Sequence, residues 1–143
     1  MKHKISADML YNYSQCPHRL YLDLFEDPAK QNRESAFLKL LWERGIDYEK
    51  QVVSDLKIPF LDLSSYSGSE KEKRTRDAIK QGVTLIYSGR ISTAQLVGEP
   101  DLLLKKEGEY IAGDIKSGSA FEGENEETEG KPKKHYALQL GLY

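Results

Sequence analysis

The feature that most constrains the fold is a hairpin pattern in the last third of the sequence. Three consecutive leucines at 102–104 lead into a charged run, and Tyr110-Ile111-Ala112 follows it. Apolar runs on either side of a short glycine-containing segment are typical of two antiparallel strands. If Glu107-Gly108 is a two-residue turn, the register places Asp101 directly opposite Asp114. The sequence therefore predicts two carboxylates side by side on one face of a sheet.

Two carboxylates in this position predict a bound cation. Like charges directly opposite each other on a sheet repel and destabilise the pair, unless a cation lies between them. Because strand side chains alternate, Lys116 is expected on the same face as Asp114. Oxygen ligands favour magnesium or manganese, and a chain with one cysteine and no cluster of histidines is a poor zinc site. The opposite face of the hairpin is aliphatic and is expected to be buried; it carries Leu102, Leu104, Ile111 and Ile115.

Length and composition are those of one globular domain. The chain has 143 residues, of which 38% are hydrophobic and 31% charged, so we expect a single core with a wet surface over residues 1–143. Residues 1–10 contain no continuous apolar stretch, and no later run is long enough to span a bilayer, which argues against a secretory signal and a membrane association. One cysteine excludes an internal disulfide, and the expected location is the cytoplasm.

The charge pattern excludes a generally basic coat for nucleic acid. The formal net charge is −2, from 21 basic and 23 acidic side chains. Five glutamates lie between Glu122 and Glu129, in a segment at 117–131 that we predict to be a mobile acidic loop. The helix before Gly82 carries a basic set that either tracks phosphates or forms a solvated face, the second being favoured: Lys71, Lys73, Arg74, Arg76 and Lys80.

The order of elements predicts an α/β protein in the α+β arrangement, with a mixed, mainly antiparallel sheet flanked by helices. Besides the hairpin, the expected elements are helices at about 6–15, 17–25, 34–56, 69–81 and 132–143, and strands at 60–63, 83–87 and 90–97. The last helix reaches Tyr143 without a capping glycine, so we expect a fragment of a longer domain. The helix at 34–56 has one apolar face at helical spacing, which predicts burial of Phe37, Leu40, Leu41, Tyr48, Val52 and Leu56.

Taken together, these segments resemble the RecB-type branch of the PD-(D/E)xK nuclease superfamily, which includes the CRISPR-associated adaptation exonucleases and predicted RecB-like nucleases. Residues 6–22 are similar to the amino-terminal helical element of that branch, and residues 44–49 to its first site motif. Gly98 to Asp101 resembles the second motif and Asp114-Ile115-Lys116 the third. Gln139 and Tyr143 match the Gln-x-x-x-Tyr motif that marks the branch. Each motif alone is weak, and their order makes the resemblance.

The resemblance implies a restriction-endonuclease-like core and metal-dependent cleavage of phosphodiester bonds in single- or double-stranded DNA, with exonucleolytic cleavage favoured over sequence-specific cleavage. It implies that Asp101, Asp114 and the backbone carbonyl of Ile115 bind Mg²⁺ or Mn²⁺, and that Lys116 orients the attacking water. Gln139 would position the lysine and the substrate backbone, and Tyr143 would support it or stack near the nucleic acid. Helicase, DNA-repair or CRISPR-adaptation proteins are the implied partners.

Two departures from the branch keep alternatives open. Tyr48 stands where the first motif usually has a histidine, which leaves Glu49 either as a substitute metal ligand or as a boundary residue in a surface ion pair. Cys16-Pro17 resembles the start of an iron-sulfur motif, but a cluster needs four thiolates, so none is expected in this chain and Cys16 is expected to be buried. The alternative function is a catalytically impaired module of the same fold that binds nucleic acid or protein, or a domain cut from a larger helicase or repair protein.

Overall fold

The structure is a computed structural model that describes residues 4–32, 35–123 and 130–143. Its helices are α1 Ala7–Gln15, α2 Pro17–Phe25, α3 Ala36–Asp55, α4 Gly68–Gln81 and α5 Lys134–Leu142, with a short 3-10 turn at Pro28–Lys30. Its strands are β1 Leu61–Asp62, β2 Leu85–Tyr87, β3 Ile91–Ser92, β4 Val97–Gly98, β5 Leu102–Lys106, β6 Glu109–Gly113, β7 Phe121–Glu122 and β8 Lys131–Pro132.

The helix boundaries follow from their capping residues. The Ser6 hydroxyl accepts a hydrogen bond from the Met9 amide at 3.3 Å, which fixes the start of α1. Ser35 does the same for α3 through the Leu38 amide at 3.2 Å. Gly82 ends α4 with φ of 73°, a left-handed conformation that glycine adopts without steric cost.

The central sheet has four strands in the order β1-β2-β5-β6. β1 runs parallel to β2, and the other two pairings are antiparallel. Two small antiparallel pairs, β3 with β4 and β7 with β8, lie outside it. Helices and a mainly antiparallel mixed sheet confirm the predicted α+β class.

The register of the β5–β6 hairpin is confirmed. Lys106 pairs with Glu109 and Leu102 with Gly113, so the turn is Glu107-Gly108. Both turn residues have positive φ, 53° and 90°, as a two-residue type I′ turn requires. The paired ladder ends one residue before the two aspartates on each strand.

The buried face of this hairpin is the one that carries the aspartates, so the expected burial of the opposite face is wrong. Leu103 joins Leu63, Ala78 and Ile86 in the core because α4 packs on that side. Ala112, which pairs with Leu103, also packs there. On the other face Ile111 is 51% exposed, and its neighbours are at most half-buried: Leu102, Leu104 and Ile115.

The predicted strand at 90–97 is two short strands joined by a turn. The Thr93 hydroxyl accepts hydrogen bonds from the Leu96 amide at 3.0 Å and the Gln95 amide at 3.3 Å, and the Thr93 amide donates to the Leu96 carbonyl. These local bonds divert the backbone from a continuous ladder. The Ile5 amide donates to the Gln95 carbonyl at 2.8 Å, so the chain before α1 is anchored to this turn.

The predicted burial of the apolar face of α3 is also wrong. Residues 36–44 are all exposed, and Phe37 keeps 66% of its surface. Of the residues expected inside, Val52 is half-buried, and four others besides Phe37 are exposed: Leu40, Leu41, Tyr48 and Leu56. Val53, which the apolar pattern did not include, is buried. The predicted helix forms with its apolar residues at helical spacing, but within the described residues no element covers its first half.

Part of the predicted acidic loop is ordered into strands. Phe121 pairs with Pro132 and Glu122 with Lys131, and the Lys133 amide donates to the Ala120 carbonyl at 3.0 Å. The last helix consequently begins at Lys134 rather than at Pro132. Residues 124–129 of the predicted mobile loop lie outside the described part of the chain.

Two further expectations concern Cys16 and the membrane. Cys16 is exposed, so its predicted burial is wrong; it lies at the junction between α1 and α2, where it is the residue before Pro17 at the start of α2. In the described ranges, no helix combines the length and the apolar content that crossing a bilayer requires.

Candidate active site

The described residues bring Glu49, Asp101, Asp114 and Lys116 together at one end of the central sheet. Asp101 directly precedes β5, and Asp114 directly follows β6, so the hairpin register places them next to each other. Lys116 follows Asp114 by two residues and forms an ion pair with it. Glu49 approaches from α3, and its hydrogen bond with Tyr87 of β2 ties that helix to the sheet.

Asp101 is held through both its side chain and its main chain. Its Oδ2 accepts a hydrogen bond from the Ile115 amide at 2.6 Å, and its carbonyl accepts one from the Ser88 amide at 2.8 Å. Burial raises the pKa of Asp101 to about 7; the charges of Asp114 and Glu49 add to the rise, and the Ile115 amide opposes it. The structure thus gives Ile115 a contact through its N–H, while metal binding by its carbonyl stays a prediction.

Asp114 is a buried carboxylate with little compensation. Both of its oxygens are buried, and beyond the Lys116 ammonium no hydrogen-bond donor among the described residues reaches them. A buried carboxylate without donors is costly unless a cation balances it. The Lys116 ammonium is one such cation; it pairs with Oδ2, and Oδ1, which has no hydrogen-bond partner among the described residues, can accept another.

Lys116 is a half-buried cation among carboxylates. Burial alone would lower its pKa, but Asp114 and Asp101 outweigh that effect, so the pKa of Lys116 lies above its ordinary value. Its ammonium also lies 5.6 Å from the centre of the Tyr136 ring on α5, within the range of a cation–π contact. The side chain is therefore charged at neutral pH and restrained from two sides.

Glu49 faces this cluster. The Tyr87 hydroxyl donates to Glu49 Oε2 at 3.4 Å, and no ion pair of Glu49 is present in the described ranges. Burial raises the pKa of Glu49 above its ordinary value, although the charge of Lys116 and the Tyr87 hydroxyl oppose the shift. Of the two interpretations left open by the sequence, these surroundings favour the metal ligand over the surface ion pair. Tyr48 is exposed on the same helix.

The two residues of the last motif contact each other. Gln139 Nε2 donates to the Tyr143 hydroxyl at 2.9 Å, and that hydroxyl donates a long hydrogen bond of 3.5 Å to the Glu99 carbonyl. Burial raises the pKa of Tyr143 above its ordinary value, and the charges of Asp114 and Asp101 add to the rise. Gln139 thus acts on Tyr143 in this structure, and the described residue of α5 that lies over Lys116 is Tyr136.

Sequence reasoning missed a polar network beside this cluster. Lys71, expected on a solvated face, is buried, and its ammonium contacts Ser88 Oγ at 3.0 Å and Glu99 Oε2 at 3.4 Å. The signal in the sequence was the helical spacing of Lys71, Thr75 and Ala78, all three of which are buried. Lys71 was expected on the solvated surface because its side chain is charged.

The cluster has the charge of a divalent-cation site but is not a closed metal cage. Fully ionised, Glu49, Asp101 and Asp114 carry two more negative charges than Lys116 balances. Among the described residues, no group of three or more histidine, cysteine or carboxylate side chains surrounds a common centre. The donor set suits Mg²⁺ or Mn²⁺, which keep several waters and use one or two protein carboxylates.

A separate cleft of about 440 Å³ lies between α2 and the 3-10 turn. Residues along it include Cys16, Arg19, Asp23 and Lys30. Arg19 pairs with Asp23 and Lys30 pairs with Glu26 within the cleft. It contains none of the predicted site residues.

Comparisons of the chain with models of protein families, with curated proteins and with solved structures found no match. The geometry of the carboxylate cluster therefore carries the functional argument.

Proposed function

We propose that this protein is a metal-dependent deoxyribonuclease of the RecB type within the PD-(D/E)xK superfamily. The observation that carries the proposal is the adjacency of two aspartates across a hairpin, Asp114 with a buried side chain and Asp101 half-buried, with Lys116 paired to Asp114. The motif residues are Pro100-Asp101 directly before β5 and Asp114-Ile115-Lys116 directly after β6.

Asp101 and Asp114 fit a divalent cation, and Glu49 is the third candidate ligand. The Asp114 oxygens have no donor besides Lys116 in the described residues, and burial, with the charges of Asp114 and Glu49, raises the pKa of Asp101 to about 7. Both observations indicate a place where an additional positive charge would be favourable. Bound there, Mg²⁺ or Mn²⁺ would supply Lewis-acid chemistry, holding a phosphate and making hydroxide available at neutral pH.

The chain's own residues supply orientation and charge. Lys116 keeps its proton at neutral pH, so its ammonium can donate to a water or to a phosphate oxygen, and it offsets negative charge that develops on the phosphate. Asp114 holds that ammonium in place through the ion pair. Gln139 and Tyr143 link the end of α5 to Glu99, in the segment between β4 and β5 that also contains Asp101.

The proposed substrate is single- or double-stranded DNA, and the proposed mode of cleavage is exonucleolytic. Both rest on the resemblance of the motifs to the RecB-type branch. A helicase, a repair protein or an adaptation protein is the corresponding proposed partner.

The competing function is a module of the same fold that binds nucleic acid or protein without cleaving DNA. Two observations favour it: the described residues close no three-ligand metal cluster, and Tyr48 stands where the branch usually has a histidine. A single assay separates the two functions.

The assay uses end-labelled single- and double-stranded DNA with Mn²⁺ or with EDTA. Cleavage by the wild-type protein is expected in Mn²⁺ only. Asp114→Asn and Lys116→Met are expected to lower it by at least about 100-fold, the scale of losing one charge-stabilising group. Lys106→Met, an exposed lysine of the same hairpin, is the matched control and should cleave like wild type. Cleavage that survives both site substitutions would refute the assigned centre, and DNA binding without cleavage would favour the module.

A further inference from the structure

Lys71 occupies a position that is unusual for a lysine. It is the first of the three buried residues of α4, ahead of Thr75 and Ala78, and is only 6% exposed. Lysine is almost never fully buried without a partner, because burying an isolated ammonium is very costly. The two partners, Ser88 Oγ and Glu99 Oε2, come from segments on either side of the β3–β4 pair.

Both partners are connected to the proposed centre through the backbone. The Ser88 amide donates to the Asp101 carbonyl at 2.8 Å. Glu99 precedes Asp101 by two residues, and its carbonyl is the acceptor for the Tyr143 hydroxyl. One ammonium therefore joins the two backbone segments on which Asp101 and Tyr143 depend.

The conformation of Ser88 provides an independent indication. Its φ is 57°, in the left-handed region that a residue other than glycine seldom adopts. Such a residue persists only where its surroundings hold it, and such residues cluster at functional sites. Lys71 contacts the Ser88 side chain and Asp101 the Ser88 amide, so the unusual residue is fixed from both ends.

Arg90 supports Glu99 but does not replace Lys71. It forms an ion pair with the Glu99 carboxylate from a more exposed position, and its amide donates to Thr75 Oγ1 at 2.9 Å. Lys71 is the described cation that contacts both Glu99 and Ser88.

We propose that Lys71 is a positioning residue that sets the placement of Asp101 and Tyr143 through Ser88 and Glu99. The inference rests on the proposed nuclease function, since Asp101 is the group whose placement matters. Lys71 itself touches neither substrate nor the reacting atoms. Its removal should change the rate of the chemical step more than the binding of DNA.

The experiment compares Lys71→Met, Ser88→Ala and the double variant in the Mn²⁺-dependent cleavage assay. Lys73→Met, an exposed lysine on the same helix, is the matched control. We expect each single site variant to lower kcat by about tenfold or more with KM for DNA nearly unchanged, because small misplacements of reacting groups are costly. The double variant should be little worse than Lys71→Met, since both substitutions break one pathway. Lys73→Met should keep the wild-type kcat.

Amide hydrogen exchange gives a readout that does not depend on activity. The Ser88 amide, which is hydrogen-bonded to the Asp101 carbonyl, should exchange its hydrogen at least about tenfold faster in Lys71→Met than in wild type. If Lys71→Met shows the faster exchange but the wild-type protein cleaves no DNA, the nuclease proposal is refuted and the link between Lys71 and Asp101 is kept.

Wild-type kcat in Lys71→Met, or additive losses in the double variant, would overturn the positioning role, as would unchanged Ser88 exchange. If Lys71→Met does not fold, Ser88→Ala decides, because it keeps the buried ammonium and removes its link to Asp101. A wild-type kcat in folded Ser88→Ala would then overturn the proposal.

Discussion

Asp101 is the residue whose protonation links the site to stability. Its pKa of about 7 in the folded chain lies above the value of about 3.9 for an exposed aspartate. The folded state therefore holds a proton, between these two values, that the unfolded chain has released. Without metal, folding should consequently weaken as pH rises from about 4 to about 7.

We predict that Asp101→Asn removes this pH dependence. In EDTA, the free energy of unfolding of the wild type should fall with rising pH over that window, by about 1.4 kcal/mol for each unit of pKa difference, and the variant should show a flatter profile. Asp77→Asn, an exposed aspartate of α4, is the control and should keep the wild-type slope. Denaturant unfolding at several pH values measures the effect. Equal slopes in wild type and Asp101→Asn would contradict the assigned environment.

For single residues, the sequence predicted which side chains form the candidate site better than it predicted which residues surround them. The register of the predicted hairpin identified Asp101 and Asp114 as a pair, and the alternation of side chains along a strand placed Lys116 on the same face. It could not place Lys71, because the burial of a charged helix residue depends on partners distant in sequence, here Ser88 and Glu99. For the same reason the contact between Tyr136 and Lys116 was not predicted.

In the β5–β6 turn, we predict opposite effects on stability for two substitutions. Glu107 has φ of 53°, where asparagine is favoured, and Gly108 has φ of 90°, where a side chain is strained. Glu107→Asn should raise the free energy of unfolding by about 0.5 kcal/mol, and Gly108→Ala should lower it by about 1 kcal/mol. Thermal unfolding measures both. Stabilisation by Gly108→Ala would be incompatible with this turn.

The contact between α5 and β4 offers a second prediction at this scale. A Cβ at Gly98 would lie 2.5 Å from the Tyr143 ring, whereas one at Gly141 meets nothing within 4 Å. Gly98→Ala should displace Tyr143 and lower stability by about 1 to 3 kcal/mol. Gly141→Ala should raise stability by up to about 1 kcal/mol, because alanine favours the helix. Thermal unfolding separates them, and equal effects would argue against the packing of Tyr143 on Gly98.

Element boundaries were predictable where a local signal sets them. Ser6, Gly82 and the Glu107-Gly108 turn fix their elements through neighbouring backbone groups, and the sequence predicted element boundaries at all three positions. The split of the predicted 90–97 strand was missed because Thr93 favours the turn through side-chain bonds that compete with a ladder.

At the level of the whole molecule, α3 shows that apolar spacing along a helix does not by itself determine which residues are buried. Its apolar spacing predicted a buried face, yet burial requires a second element, and none covers residues 36–44 in the described part of the chain. The class of the fold was predictable from the order of the elements. The placement of this helix was not, because amphipathicity tells which face seeks a partner and not whether one is present.

The single tryptophan reports on this helix. Trp42 is 52% exposed. We predict that its fluorescence emission is that of a solvated indole and is strongly quenched by acrylamide, because an exposed ring meets both water and quencher. The same measurement in denaturant is the control. A blue-shifted emission protected from acrylamide in the native protein would show that this face of α3 is covered in solution.

The proposed chemistry requires the Asp101–Asp114 cluster to bind a divalent cation, and the EPR signal of free Mn²⁺ measures that binding. As wild-type protein is added, the signal should fall. Asp101→Asn and Asp114→Asn should each weaken the affinity by at least about tenfold, because each removes a ligand charge. Glu107→Gln, an exposed carboxylate at the far end of the hairpin, should bind Mn²⁺ like wild type. Equal Mn²⁺ affinity in wild type and both aspartate variants would contradict the proposed centre.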